Sequence, residues 1–486
     1  MHMRARTVKG AAHRAVPRPA PGSPGPAWSV LVLLCVAEFM VILDATVVNV
    51  ALPSIGRALH FAVGDLQWVV TAYVLFSGGL MLLGGRAADL AGGRRVFLAG
   101  LVVFTAASLG SGMAPSAGAL IAARAGQGLG AALLTPAALS VITATYTGPR
   151  RAVALSAWGG LGGAGAAAGV LAGGLLTTWL GWRSVFLVNV PVGAVAGALS
   201  LRLVPRDGRR DRAGHSLDLP GAVLAVAGLV TAVYALSGAP AHGWGSARTV
   251  TLLVVATGLL AAFVVTERVV RRPLVPPRTW RSRPLAAGLV VMLGGTAILV
   301  GTFFLNTLYL QDVQGASPLR AGLEFLPLVA VIGLAAHLAS RLLPRVGARM
   351  LAVAGLVLMG GGTLWLSAAS AQAGYVPGLL PGLLLIGAGT GLVFPAASVT
   401  AMSDAGPGRH GLASGLLTTA HDIGAALGVA AFSVLASTGA AAGRGFAGGY
   451  RHGFTAAAII AAGLAVLALL AVPAVRPARG TRAAVH

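Results

Sequence analysis

The chain has 486 residues, of which 56% are hydrophobic and 10% charged, against about 25% charged in an average soluble protein. A water-soluble core of that composition is excluded. The formal charge of +23 does not mark a nucleic-acid surface, because the basic residues stand in short groups between long apolar runs, as charges flanking membrane spans do. Their natural partners are anionic lipid headgroups. The lone lysine, Lys9, leaves no phosphate-loop Gly-Lys pair, and HExxH and GxSxG are absent. One cysteine, Cys35, precludes an intrachain disulfide or a cysteine-rich metal cluster. No enzyme signature and no cofactor are expected.

Residues 1–27, rich in Arg, Pro, Ala and Gly, read as a disordered cytoplasmic tail, too polar and broken for a signal sequence. Fourteen apolar runs follow, each near the roughly 20 residues a helix needs to cross a bilayer. They are Trp28 to Ala51, Trp68 to Gly84, Val96 to Met113, Ala117 to Tyr146, Ala152 to Trp179, Ser184 to Leu201 and Leu219 to Leu236. The second seven are Thr249 to Thr266, Leu285 to Leu310, Ala321 to Leu338, Met350 to Ser367, Val376 to Val399, Ala413 to Ser437 and Phe454 to Val472. The fold class expected is therefore all-α and polytopic. With both termini inside, 28 basic residues fall in cytoplasmic segments and 6 outside, with Arg124 inside the fourth span. That is the asymmetry membrane insertion favours. Dropping one span would scramble it.

A faint internal repeat follows the second span of each half. Gly85, Asp89, Gly92 and Arg94 are spaced like Ser340, Pro344, Gly347 and Arg349. In the fourth span Gly-Leu-Gly precedes Pro136-Ala-Ala, and in the twelfth Gly-Thr-Gly precedes Pro395-Ala-Ala. Transporters are often built from such repeats, with the site between them.

Five charged residues lie inside spans: Glu38, Asp44, Arg124, Glu324 and Asp422. Each needs a reason, because a charge at the bilayer centre costs at least about 2.5 kcal/mol. Glu324 reads as a solvated helix-start acid near the outer interface. Helical rise places Glu38 and Asp422 near the midplane, with nothing basic at their depth, so each carboxyl is eased by taking up a proton. Asp44 and Arg124 share a depth nearer the outside; they form either a static ion pair or a working one. Glu38, Ala45 and Asn49 share one face of the first span, while Asp44 points about 120° away. On the thirteenth span Ser414, Thr418, His421 and Asp422 form a polar stripe, His421 being either a proton relay or a structural partner of Asp422. The expected substrate-cavity residues are Glu38, Asn49, Thr418, His421 and Asp422. In the fifth span Gly165, Gly169 and Gly173 recur every four residues, beside Gly159, Gly160, Gly162, Gly163 and Gly174, which lets another helix approach closely. Packing accounts for any one of them; their density points to a surface where helices slide or rock.

Taken together, these strings resemble the major facilitator superfamily, and within it the fourteen-spanning drug:proton antiporters. Leu43-Asp44-Ala-Thr-Val-Val-Asn49-Val-Ala-Leu-Pro53 is similar to that family's first-span motif. Gly85-Arg-Ala-Ala-Asp89-Leu-Ala-Gly92-Gly93-Arg94 resembles its second-to-third-span motif, with Gly93 at a usually basic position. Arg124-Ala-Gly-Gln127-Gly128-Leu-Gly130 resembles the fourth-span motif, whose arginine is implicated in proton coupling. Gly169-Val170-Leu-Ala-Gly173-Gly174 resembles the antiporter motif, with Val170 where Pro is usual. Trp182-Arg183, Asn189-Val-Pro191 and Ser317-Pro318-Leu-Arg320-Ala-Gly322 add to the match. The resemblance implies two six-helix bundles, residues 28–204 and 284–473, with an inserted helix pair in 205–283 and a cytoplasmic tail at 474–486. It also implies proton-coupled export of amphipathic organic molecules from the cell. The partners are then a small-molecule substrate, protons and membrane lipids. Export of a dedicated metabolite or lipid, or ligand sensing without transport, are the alternatives. Asp44, Arg124, Glu38 and Asp422 are the expected coupling residues, and Gly85, Asp89, Gly92, Arg94, Gly165, Gly169, Gly173 and Gly174 the gating motifs.

Overall fold

The computed structural model describes residues 28–61, 65–205, 218–270, 273–275, 279, 281–369, 374–403, 410–439 and 445–473. The two expected tails and most of the loop after residue 205 lie outside them. All regular structure among the described residues is helical: α1 (Trp28–Ala58), α2 (Trp68–Ala91), α3 (Gly93–Gly112), α4 (Ala117–Thr145), α5 (Gly148–Leu180), α6 (Ser184–Leu187) and α7 (Asn189–Leu203). Then come α8 (Leu219–His242), α9 (Ala247–Val269), α10 (Arg283–Leu308), α11 (Pro318–Ala368), α12 (Leu380–Met402), α13 (His410–Gly439) and α14 (Gly445–Ala471). Each apolar run of the sequence lies in a helix. Backbone bonds closed within the segment are what a bilayer requires of a spanning element.

Twelve helical stretches among the described residues are long and apolar enough to cross a membrane. One of them is the 51-residue α11, which leaves helical geometry at Gly347 (φ 80°, ψ 161°). It therefore has two arms, 318–346 and 348–368, where the sequence places two spans. The 33-residue α5 is not among the twelve; its apolar part Ala164–Leu180 is shorter. A single residue parts α6 from α7, and Pro191 explains it, having no N–H to offer the Leu187 carbonyl four residues back. Helix α10 runs on into a π-turn, Tyr309–Val313, and another, Tyr375–Leu379, leads into α12. Several helices begin on a capping side chain: Ser116, Asp218, Ser246, Ser282 and Ser317 each accept a backbone N–H three residues on.

Among α1 to α7, α4 packs on α2 and α3, and α1 on α5; among α10 to α14, α12 packs on α11 and α10, and α14 on α11. The two sets meet where α2 lies against α13 and α5 against α11. The α8–α9 pair leans on α2 and α13 through α8, with Val226 seated at Gly79.

Glycine sets the closest approaches. A Cβ on Gly84 would overlap the Ala132 carbonyl oxygen of α4, and backbone cannot swing aside as a side chain can. Gly84→Ala is expected to part α2 from α4 and cost about 1–3 kcal/mol, as overpacking does. A thermal-unfolding midpoint equal to wild type would contradict that.

The internal repeat is visible as geometry. Gly92 (φ 99°) turns the chain from α2 into α3, and Gly347 makes the corresponding turn inside α11. Both positions require a residue tolerant of positive φ. Arg94, two residues on, donates through Nη2 to the Leu201 carbonyl at 2.6 Å; Arg349, also two residues on, donates through Nε to that of Val472 at 2.6 Å. Each arginine thus ties its turn to the end of a later helix, α7 or α14. A Cβ on Gly100 would lie 2.9 Å from the Gly130 carbonyl, and one on Gly355 would lie 2.7 Å from that of Gly389. Gly130 and Gly389 both stand six residues before their helix proline. The sequence alignment is corrected by this: Gly128 and Gly130 correspond to Gly387 and Gly389, two residues before the Gly-Thr-Gly that the string match selects.

Candidate functional site

Two clusters of polar side chains occupy the helix interior. The first is built on α1 and α4. Asp44 is fully buried, with one carboxylate oxygen 2.5 Å from Nη1 of the equally buried Arg124. Its other oxygen accepts from Gln127 Nε2 at 2.9 Å and from Asn189 Nδ2 at 2.7 Å. Arg124 donates through Nε to the Val69 carbonyl at 2.8 Å and through Nη1 to Gln127 Oε1 at 2.9 Å. Its guanidinium lies 4.3 Å from the centroid of the Tyr73 ring, a cation–π contact. Ser108 and Ser111 bond Gln127 in turn, so the carboxylate, guanidinium and amides form one closed network. The spacing on α4 produces it, since Arg124 and Gln127 are three residues apart and share a face.

The second cluster is differently made. Glu38 is 8% exposed and accepts one hydrogen bond, 2.9 Å from Thr135 Oγ1 on α4. Asp422, on α13, accepts from Ser77 Oγ of α2 at 2.9 Å and lies 3.1 Å from His421 Nδ1. Among the described residues, neither acid has an arginine or lysine within 4 Å. Gly78 admits Asp422 to α2, since a Cβ there would overlap that of Asp422. Thr419 Oγ1 also donates to the Gly78 carbonyl at 3.0 Å. The His421 ring sits edge-on to Phe394 of α12, centroids 5.7 Å apart.

The remaining candidates divide. Asn49 turns its amide onto its own helix, 3.1 Å to the Ala45 carbonyl, and its buried Oδ1 has no hydrogen-bond donor among the described residues. Thr418 folds back on the Ser414 carbonyl at 3.2 Å. Glu324 pairs with Arg320 one turn earlier, near the start of α11. Gly92 and Arg94 form the α2–α3 turn described above, whereas Asp89 is exposed and in no ion pair among the described residues. Gly85 has room, its nearest neighbour at 3.8 Å, and the crowded position is Gly84. At Gly93 a Cβ would meet Val141 at 3.0 Å, so this position too lies close against α4.

The α5 stripe has two faces. Gly165, Gly169 and Gly173 press on α1, against Ile42, Thr46 and Val47. Contact with α11 is made instead by Gly174, whose Cβ would lie 2.8 Å from Leu319 Cα, and by the Val170 carbonyl, 2.8 Å from a Cβ on Gly322. The seam between the two helix sets therefore runs through Val170 and Gly174 rather than along the regular stripe.

Residues the sequence reading did not select as site partners are Tyr73, Ser77, Ser108, Ser111 and Thr135; hydroxyls in apolar spans carry no signal until their polar partners are placed beside them. Glu267 also escaped, because the apolar run ends at Thr266. It is 5% exposed and holds the backbone N–H groups of Leu274 (3.3 Å) and Val275 (2.7 Å).

A multi-pass helical protein with buried charge between its helices has the build of a membrane transporter. Residues 34–429 match the model of the Major Facilitator Superfamily, and the chain belongs to that superfamily. It is 42% identical over 454 residues to the puromycin resistance protein pur8 of Streptomyces alboniger, covering 90% of this chain and 89% of the relative. It is likewise 42% identical over 449 residues to the cephamycin export protein CmcT of Amycolatopsis lactamdurans, covering 91% and 92%. Among solved structures, a bacterial homologue of the human lysosomal transporter Spinster, inward-facing and occupied, shares the fold. Its TM-score is 0.66 at 18% identity, over 93% of this chain and 97% of that one.

Proposed function

We propose that the chain is a proton-coupled exporter of amphipathic organic molecules, with antibiotics as its substrate class. The observation that carries this is the contrast between the two interior clusters. Asp44 has its charge matched by Arg124, whereas among the described residues Glu38 on α1 and Asp422 on α13 have no arginine or lysine within 4 Å, and Asp422 has only the His421 ring beside it. A carboxylate in that position is costly when charged and alone, so it gains from a proton or from a cationic substrate, and competition between the two couples opposite fluxes. Asn49, Thr418 and His421 complete the proposed cavity, with the buried Oδ1 of Asn49 as an acceptor for substrate. The export of cephamycin and resistance to puromycin named for relatives at 42% identity support the direction and the class.

In this reading α1 to α7 and α10 to α14 are two bundles that rock about the α2–α13 and α5–α11 seams to expose the cavity alternately. The chain crosses the plasma membrane fourteen times, with α8 and α9 the inserted pair, both arms of α11 counted, and both termini cytoplasmic. Reporter fusions after Arg206 and Arg476 are expected to show cytoplasmic activity. Activity on the outer side at either point would refute the orientation.

Energy coupling is tested in cells of an efflux-deficient host. Efflux of a fluorescent cationic dye is expected to collapse when the proton gradient is dissipated at constant ATP. Uphill efflux that persists would overturn proton coupling.

A further inference from the structure

An open groove of about 630 Å³ runs between α1 and α7 on the outer surface of the helices. On the α1 wall Val36 and Val32 lead to Ser29; on the α7 wall Val195 and Leu199 lead to Leu203, and the exposed Arg202 stands next to it in the chain. Both series follow the i, i+3/i+4 spacing that keeps side chains on one helix face. The four apolar residues are 42–60% exposed, which in this protein means facing acyl chains. Ser29, at the start of α1, and Leu203, at the end of α7, both line the groove, and Ser29 and Arg202 are exposed. Each series covers seven steps of helical rise, about 10 Å from its apolar end to its polar one. The Arg94 bond to the Leu201 carbonyl fixes the end of α7 that carries Arg202.

Hydrocarbon along the walls with a hydroxyl and a guanidinium at one mouth is the pattern of a phospholipid. We infer that the α1–α7 groove is a binding site for one anionic phospholipid, its acyl chain between Val32, Val36, Val195 and Leu199 and its phosphate at Ser29 and Arg202. The charge at the mouth selects an anionic headgroup over a zwitterionic one. With the termini inside, as proposed above, the lipid belongs to the cytoplasmic leaflet. The binding itself does not depend on that orientation, and its assay involves no transport.

The test is native mass spectrometry of the delipidated full chain, titrated with phosphatidylglycerol or phosphatidylcholine in detergent. Wild type is expected to retain one phosphatidylglycerol in preference to phosphatidylcholine. Arg202→Gln should weaken that retention about fivefold, the effect of one basic residue at a membrane surface. Leu199→Trp, which fills the groove, should abolish it, with Val195→Trp as a second filling variant in case one fails to fold. Equal retention of the two lipids by wild type would overturn the inference. So would loss on Arg202→Gln with no change in a folded groove-filling variant, which would mean headgroup adsorption alone.

Discussion

Asp44→Asn is expected to lower the stability of the purified protein by about 3–5 kcal/mol, the usual consequence of removing one partner from a buried ion pair. Arg124 is fully buried and its guanidinium keeps its charge, so the loss of the facing carboxylate leaves a cation in a low-dielectric interior. Tyr73 offers only the face of its ring, and Gln127 and the Val69 carbonyl offer neutral oxygens. Arg124→Gln should cost less, because Asp44 keeps its amide donors Gln127 and Asn189 and a carboxyl, unlike a guanidinium, can shed its charge by binding a proton. The double variant should recover most of the stability lost in Asp44→Asn. Thermal unfolding of the four proteins closes a double-mutant cycle. Transport then separates the two roles of the pair. A double variant that is stable and still pumps makes the pair structural; one that is stable and inactive makes Asp44 part of proton coupling. Stability unaffected by Asp44→Asn alone would contradict the closed network.

Much of this was legible before any coordinates. The positions of the spans follow from apolar run length, because a bilayer demands about 20 residues of helix each time. The shared depth of Asp44 and Arg124 follows from counting rise along two spans, and the coordinates place them in contact. What the string could not supply was rotation about each helix and the partner it meets. Gly169 and Gly174 look alike in sequence, yet one presses on α1 and the other on α11. Gly85 belongs to a conspicuous motif while the neighbouring Gly84 makes the close approach. Likewise Thr135 and Ser77 are unremarkable hydroxyls until Glu38 and Asp422 are set against them. The repeat was readable at Gly92 and Gly347, where positive φ restricts the residue type, and misaligned in α4 and α12, where several small residues fit one string equally well.

Asp422→Asn is expected to reduce efflux of cationic substrates about 10- to 100-fold while leaving folding intact, the range following from about 1.5–3 kcal/mol for a hydrogen bond to a charged group. The replacement is nearly isosteric. Its amide can still accept from Ser77, so the α2–α13 contact at Gly78 survives and the Thr419 bond to the Gly78 carbonyl is untouched. What disappears is the negative charge and the ability to exchange a proton. If Asp422 meets the substrate, a cationic compound should lose far more than a neutral one of similar size, and the loss should appear in KM. If Asp422 carries only the proton, both compounds should lose alike, and the loss should appear in the maximal rate. Glu38→Gln, on α1, is the control for the second acid: among the described residues its carboxyl has Thr135 as its hydrogen-bond donor and no base to neutralise it. Reconstituted Asp422→Asn that exchanges protons for a cationic compound at the wild-type rate would remove this residue from the mechanism. Glu38 would then be the acid of that cluster left to carry the coupling.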